Sequence, residues 1–265
     1  PLRLVGSEMC IRDRINIIAL KGVPLVHPGD DLVEIIINAL TLSNQCLKNG
    51  DVLVIAQKII SKAEGRIVAL DSVSPSERAE KLAIELGKDP RQIELVLQES
   101  REIVRSKPGV VIVEQNLGLV MANAGIDRSN VVQKNDEEYV LLLPVDPDAS
   151  ANCLREKINK RLSVKVGIII NDSIGRAWRI GTTGHAIGVA GLPAVIDLRG
   201  EKDMFGKELL VSEQAVADEL ASAASLLQGQ ASEALPIVVI RGFKSNATNQ
   251  TAKALIRERD MDMFR

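Results

Sequence analysis

Aromatic side chains make up only 2% of the 265 residues: one Trp, one Tyr and three Phe. Stacking platforms for single-stranded nucleic acid need rings, and a groove that tracks phosphates needs excess positive charge. With 33 Lys+Arg against 35 Asp+Glu the chain offers neither. Its three cysteines, Cys10, Cys46 and Cys153, are scattered without a CxxC pair, which argues against a disulfide framework or a thiolate zinc site and suits a reducing compartment. No apolar run reaches the ~18 residues of a membrane span, and no secretory apolar segment stands at the head. The expectation is a cytoplasmic protein.

Several catalytic motifs are missing as well. Neither Gly87-Lys88 nor Gly206-Lys207 is followed by Ser or Thr, no GxGxxG follows a strand, and there is no GxSxG elbow. Only His27 and His185 could serve a histidine-centred hydrolase, and each lies in a Gly- or Pro-punctuated stretch. What the chain does have is 46% hydrophobic residues, almost all aliphatic, enough core for one large or two modest domains.

Periodicity predicts an irregular order of elements. Residues 1–14 read as an extension, disordered or artefactual, before a strand from Ile15. Asp30 or Asp31 caps a helix over Leu32–Leu42, Val52–Ala56 is a buried strand, and Ser74 caps a helix that closes at Gly87. A helix comes next over Pro90–Glu99, then strands over Gly109–Glu114 and Leu117–Ala122, and another over Tyr139–Leu143. A helix over Ala151–Leu162 leads to the most apolar strand, Val164–Ile170, which is expected to end in the loop Asn171–Arg176. Gly181, Gly184, Gly188 and Gly191 punctuate the next segment; bends or tight packing explain them better than a ligand does. A helix over Val211–Leu227, a strand over Pro236–Arg241 and a polar tail over 244–265 complete the chain. Helices and strands alternate too irregularly for a doubly wound sheet, so the fold class is α+β (mixed α/β) with mixed and antiparallel sheets, neither P-loop nor Rossmann.

Three strand-exit segments carry oxygen-bearing side chains: Asn123–Asn130, Asn171–Arg176 and Gln228–Glu233. Asp127, Asp172, the Ser173 hydroxyl and the Gln230 amide are hard donors that suit Mg²⁺ or Mn²⁺ rather than zinc. An Asp at a strand exit is equally at home as a turn or cap residue. Lys62 could meet phosphate or simply solvent.

In order along the chain, GVPLVHPGDDL, ISKAEGR, SPSERA, NAGIDRSN, LLLPVDPDASA, INDSIGRAWRIGTTGHAIGVAGL and VADELASAASLLQG together resemble the coenzyme F420-0:L-glutamate ligase (F420-0:gamma-glutamyl ligase) family. The resemblance runs from Ile15 to Phe243 and implies a ligase module over 15–243, which can hold two intimately packed subdomains. It further implies GTP-dependent addition of L-glutamate to F420-0 through an acyl phosphate, first as an amide and then by γ-glutamyl extension. Two divalent cations, Mg²⁺ or Mn²⁺, together with K⁺ and a homodimer belong to the same expectation. Residue by residue, Asp127, Asp172, Ser173 and Gln230 fall at metal positions, and Asp127 and Asp172 are the catalytic candidates. Val23, Pro24, Leu25, Val26, Gln57, Lys58, Lys62, Asn130, Gln228, Gly229, Gln230, Ala231 and Ser232 fall at nucleotide positions. Ser173 keeps the hydroxyl of a familiar threonine, Gln230 replaces a glutamate found in some relatives, and Gln57 and Lys58 replace small hydroxyl residues. An amide ligase for another acid or amine, and a non-catalytic nucleotide-binding dimer, remain the alternatives; competition between F420-0 and other phosphorylated carboxylic acids separates the first, and nucleotide binding without metal-dependent hydrolysis or ligation the second.

Overall fold

A computed structural model describes residues 14–129 and 137–263. The expectation for the extension therefore falls, apart from Arg14, outside the described residues, as does the site residue Asn130. The named elements are β1 (Asn16–Ala19), α1 (Leu32–Leu42), β2 (Val52–Ala56), α2 (Gln57–Ala63), β3 (Ile67–Ala69), α3 (Glu77–Leu86), α4 (Pro90–Gln98), β4 (Ser100–Lys107), β5 (Val110–Gln115) and β6 (Val120–Ala122). They continue with β7 (Tyr139–Leu141), α5 (Pro147–Leu162), β8 (Gly167–Gly175), β9 (Thr182–Ala190), β10 (Ile196–Asp197), β11 (Glu213–Gln214), α6 (Val216–Gln228) and β12 (Ile237–Arg241). The fold is α+β.

The aliphatic runs of β2, β8 and β12 occupy the middle of a five-stranded sheet in the order β1-β12-β2-β8-β9. β2 and β8 are parallel, and the other neighbours are antiparallel. Because side chains alternate across a strand, the same runs supply two cores. Leu53, Ile55, Ile168, Ile170, Ile237 and Val239 face α1, α2 and α5. Val52, Val54, Ile169, Val238 and Ile240 face the small-residue side of α6, built from Ala217, Leu220, Ala221 and Ala224. A third core packs α3 and α4 against β5 and the β7 region through Leu70, Ile93, Val96, Val111, Val113, Val140 and Leu142.

Several boundaries differ from those predicted. The cap of α3 is Ser76, not Ser74: its hydroxyl accepts from the Ala79 N–H at 3.3 Å, and Glu94 of α4 accepts the Ser76 N–H. α5 starts at Pro147 under an Asp146 cap, four residues early, because Pro at the first helical position needs no N–H partner. α6 starts at Val216, after the short strand β11. β4 was not foreseen, since SREIVRSK carries no apolar alternation and pairs with β5 through two register shifts. The tail forms only short 3-10 turns, anchored where Asp148 Oδ1 accepts the N–H groups of both Val189 and Ala252.

The largest correction concerns β8. It begins at Gly167 and runs through Gly175, so Asn171, Asp172 and Ser173 are strand residues rather than a loop. They pair with β9 as Asn171↔Ala186, Asp172↔His185 and Ser173↔Gly184. Ile170 pairs with Gly188, which leaves Ile187 as the extra residue of a bulge. The glycines of β9 serve packing. A Cβ on Gly184 would lie 2.5 Å from the Ala221 carbonyl oxygen of α6, and one on Gly188 would collide with the Pro147 carbonyl at the start of α5.

Candidate functional site

The C-terminal ends of parallel strands are where open sheets place their ligands, since the chain diverges there. Ala56, the last residue of β2, pairs with Asn171 of β8, and a cavity of about 900 Å³ opens beside them. That is at the upper end of the ~300–1,000 Å³ of small-molecule sites. Its walls come from segments distant in sequence: 23–26, the end of β2 with α2, 121–129, the outer half of β8 with Thr182 of β9, and the 228–236 connection from α6 to β12.

Every expected site residue among those described lines this cavity: Val23, Pro24, Leu25, Val26, Gln57, Lys58, Lys62, Asp127, Asp172, Ser173, Gln228, Gly229, Gln230, Ala231 and Ser232. Among the described residues the titratable lining is Lys58 and Lys62 against Asp127 and Asp172. The two aspartates stand in unlike states. Asp127 takes the Lys58 ammonium on Oδ2 at 2.6 Å and the Ser129 N–H on Oδ1 at 2.6 Å. Burial pushes its pKa up, but the hydrogen bonds from Lys58 and Ser129 outweigh that and hold the carboxyl below its usual range. Asp172 is raised, first by burial and then by the charge of Asp127, against the pull of the Ser173 N–H, Lys58 and Gln57. Lys62 is lowered by burial and by the neighbouring Lys58 ammonium, with Asp127 opposing.

Hydrogen bonds between side chains set the floor. Gln57 is 2% exposed; its Oε1 accepts from the Ser61 hydroxyl at 2.8 Å, and it lies beside Asp172 in the cavity lining. Asn171 and Gln228 exchange two amide hydrogen bonds, Nδ2 to Oε1 at 2.8 Å and Nε2 to Oδ1 at 3.1 Å, joining the end of α6 to β8. Gln230 donates to the Ser173 hydroxyl at 2.9 Å, and Glu233 accepts the Ala231 N–H at 2.8 Å, folding the loop over its own carboxylate. Ser129 and Asn171 lie in the oxygen-bearing segments but were not assigned a site role, and both line the cavity. Each acts through a partner far away in sequence or across a turn, which spacing does not reveal. His27 and His185 lie outside the cavity lining.

Among the described residues no three His, Cys, Asp or Glu side chains gather as a metal cluster. The expected metal positions bring two carboxylates, the Ser173 hydroxyl and the Gln230 amide to the cavity, all hard oxygen ligands. A set with so few protein ligands fits a Mg²⁺-like cation that takes the rest of its shell from water and phosphate.

The fold and cavity define a class: an α+β protein with a largely apolar cavity carrying paired lysines and aspartates at the ends of its parallel strand pair. Residues 22–242 match the model of the family F420-0:Gamma-glutamyl ligase. The chain is 43% identical over 253 residues to the Coenzyme F420:L-glutamate ligase of Methanothermobacter thermautotrophicus, covering 95% of this chain and 99% of that protein. It is 44% identical to the protein of that name from Methanopyrus kandleri, with 93% and 97% covered, and 40% identical to that of Methanocaldococcus jannaschii, with 95% and 97% covered. The chain belongs to the F420-0:gamma-glutamyl ligase family.

Proposed function

We propose that this chain is a GTP-dependent ligase that joins L-glutamate to coenzyme F420-0 and then extends the product through its γ-carboxyl. The carrying observation is the gathering of Lys58, Lys62, Asp127 and Asp172 from three separate segments into one cavity. Relatives named as ligases of coenzyme F420 and L-glutamate support the two substrates.

A carboxylate does not condense with an amine in water without activation. In this reading a carboxylate oxygen of F420-0 attacks the γ-phosphorus of GTP, the bond to the bridging oxygen breaks, and GDP leaves. The glutamate amine then attacks the acyl carbon, phosphate departs with the bonding pair, and the amine proton passes to phosphate or solvent. Lys62 and Lys58 face the phosphate oxygens as point charges. Asp172, oriented by Gln57 and flanked by Ser173 and Gln230, would hold a Mg²⁺ or Mn²⁺, with Asp127 across the cavity. Such a cation neutralises charge that develops on the transferring phosphoryl group. The 23–26 and 228–232 segments would flank the nucleotide, with K⁺ as a further cofactor.

A homodimer belongs to the same proposal. Trp178, Ile180, Met204, Phe205, Leu210 and Val211 are all exposed, which supports a partner surface near the β8–β9 turn and the 198–212 excursion.

The test is to supply purified protein with GTP, F420-0, L-glutamate and Mn²⁺ in K⁺ buffer and to follow products by mass spectrometry. Glutamylated F420, GDP and phosphate are expected together. With hydroxylamine in place of glutamate, an F420-0 hydroxamate is expected. Absence of ligation across metals and K⁺ concentrations would sink the assignment.

A further inference from the structure

Lys58 already provides a cation in the cavity. It is the second residue of α2, so its position is set directly by the end of β2. Its ammonium lies 2.6 Å from Asp127 Oδ2 and 2.7 Å from Ser129 Oγ. Because the Ser129 N–H takes the other Asp127 oxygen at 2.6 Å, both oxygens of that carboxylate are engaged. The Lys58 side chain is only 27% exposed, so its stem is packed while its charge faces the site. Asp172 has no ion-pair partner among the described residues, and beside it the Gln230 amide donates to the Ser173 hydroxyl.

We propose that the Lys58 ammonium takes the place of one of two metal ions, so that this chain holds a single divalent cation on the Asp172, Ser173 and Gln230 side while Lys58 supplies the positive charge at Asp127. This rests on the reading of the cavity as a nucleotide and divalent-cation site. A divalent ion bonded to Asp127 Oδ2 would stand against the ammonium that now shares this oxygen, and like charges at contact distance repel strongly in a half-buried site. An ammonium with three donors can instead bridge the carboxylate, the hydroxyl and a phosphate oxygen.

The test counts Mn²⁺ on the wild-type protein with a non-hydrolysable GTP analogue, by electron paramagnetic resonance and by anomalous scattering from crystals. A single Mn²⁺ per chain, seated at Asp172, is expected. Lys58→Met is expected to gain a second Mn²⁺ at Asp127, whereas Lys58→Arg keeps one. Two Mn²⁺ ions in the wild type overturn the proposal even if the variant fails to fold, and a single ion in a folded Lys58→Met overturns it as well. Nucleotide bound without any Mn²⁺ in the wild type removes the underlying metal reading, a result distinct from a count of two.

Discussion

Gly184 tests whether the β9 glycines are there for packing. A methyl group at this position would sit 2.5 Å from the Ala221 carbonyl oxygen, 2.9 Å from its carbon and 2.9 Å from Ser225 Cβ. Ordinary contacts of that kind are ~3.5 Å or more, so α6 must shift from β9 by roughly 1 Å in Gly184→Ala. Overpacking of a tight interface costs about 1–3 kcal/mol, and a protein of this size loses about 2–4 °C of Tm per kcal/mol. A fall of roughly 4–8 °C is therefore expected by differential scanning fluorimetry for a cost of ~2 kcal/mol. The shift should reach the cavity, because Gln228 at the end of α6 is bonded to Asn171. Ligand affinity should weaken along with stability. Gly175→Ala is the control: its added Cβ meets nothing within 4 Å and its φ is not positive, so Tm should hold or rise slightly. Equal Tm values for Gly184→Ala and Gly175→Ala would refute the argument that close approach of α6 demands glycine.

Asp172→Asn should reduce turnover at least 100-fold while Tm is kept or raised at neutral pH, because burial penalises the native carboxylate and the amide carries no charge; near-normal turnover, measured by GDP release, would remove Asp172 from the chemistry. Arg241 clamps the buried Asp51 through Nε to Oδ1 at 2.9 Å and Nη2 to Oδ2 at 2.6 Å, tying the start of β2 to the end of β12. Arg241→Met strands that carboxylate and should cost about 3–5 kcal/mol in urea unfolding, with a larger loss than for the paired change Asp51→Asn with Arg241→Met; a loss below ~1 kcal/mol would show that the clamp is not needed.

Much of the fold was legible because local signals agree with the final structure. Asp31, one of the two expected caps, starts α1, and Gly87 closes α3 in the left-handed region that suits glycine. The apolar runs of β2, β8 and β12 announce strands buried on both faces. The misreadings have a common origin. Asn171-Asp172-Ser173 looks like a turn because these residues favour turns, yet pairing with β9 holds them extended. Likewise Ser76 displaces Ser74 as a cap because Glu94, on another helix, completes its hydrogen bonds.

The sequence by itself determined the aliphatic α+β scaffold, the residue types at the cavity and the family to which the chain belongs, since these depend on local pattern and ordered motifs. Tertiary structure alone decided which oxygens face one another, and that Lys58 neutralises Asp127 while Asp172 remains without an ammonium at contact. Electrostatic coupling acts through space over a few ångströms, and Lys58 and Asp127 are brought together only after α2 and the segment following β6 pack against the same sheet edge. Among the described residues, two lysines and two aspartates are thereby gathered into one cavity lining.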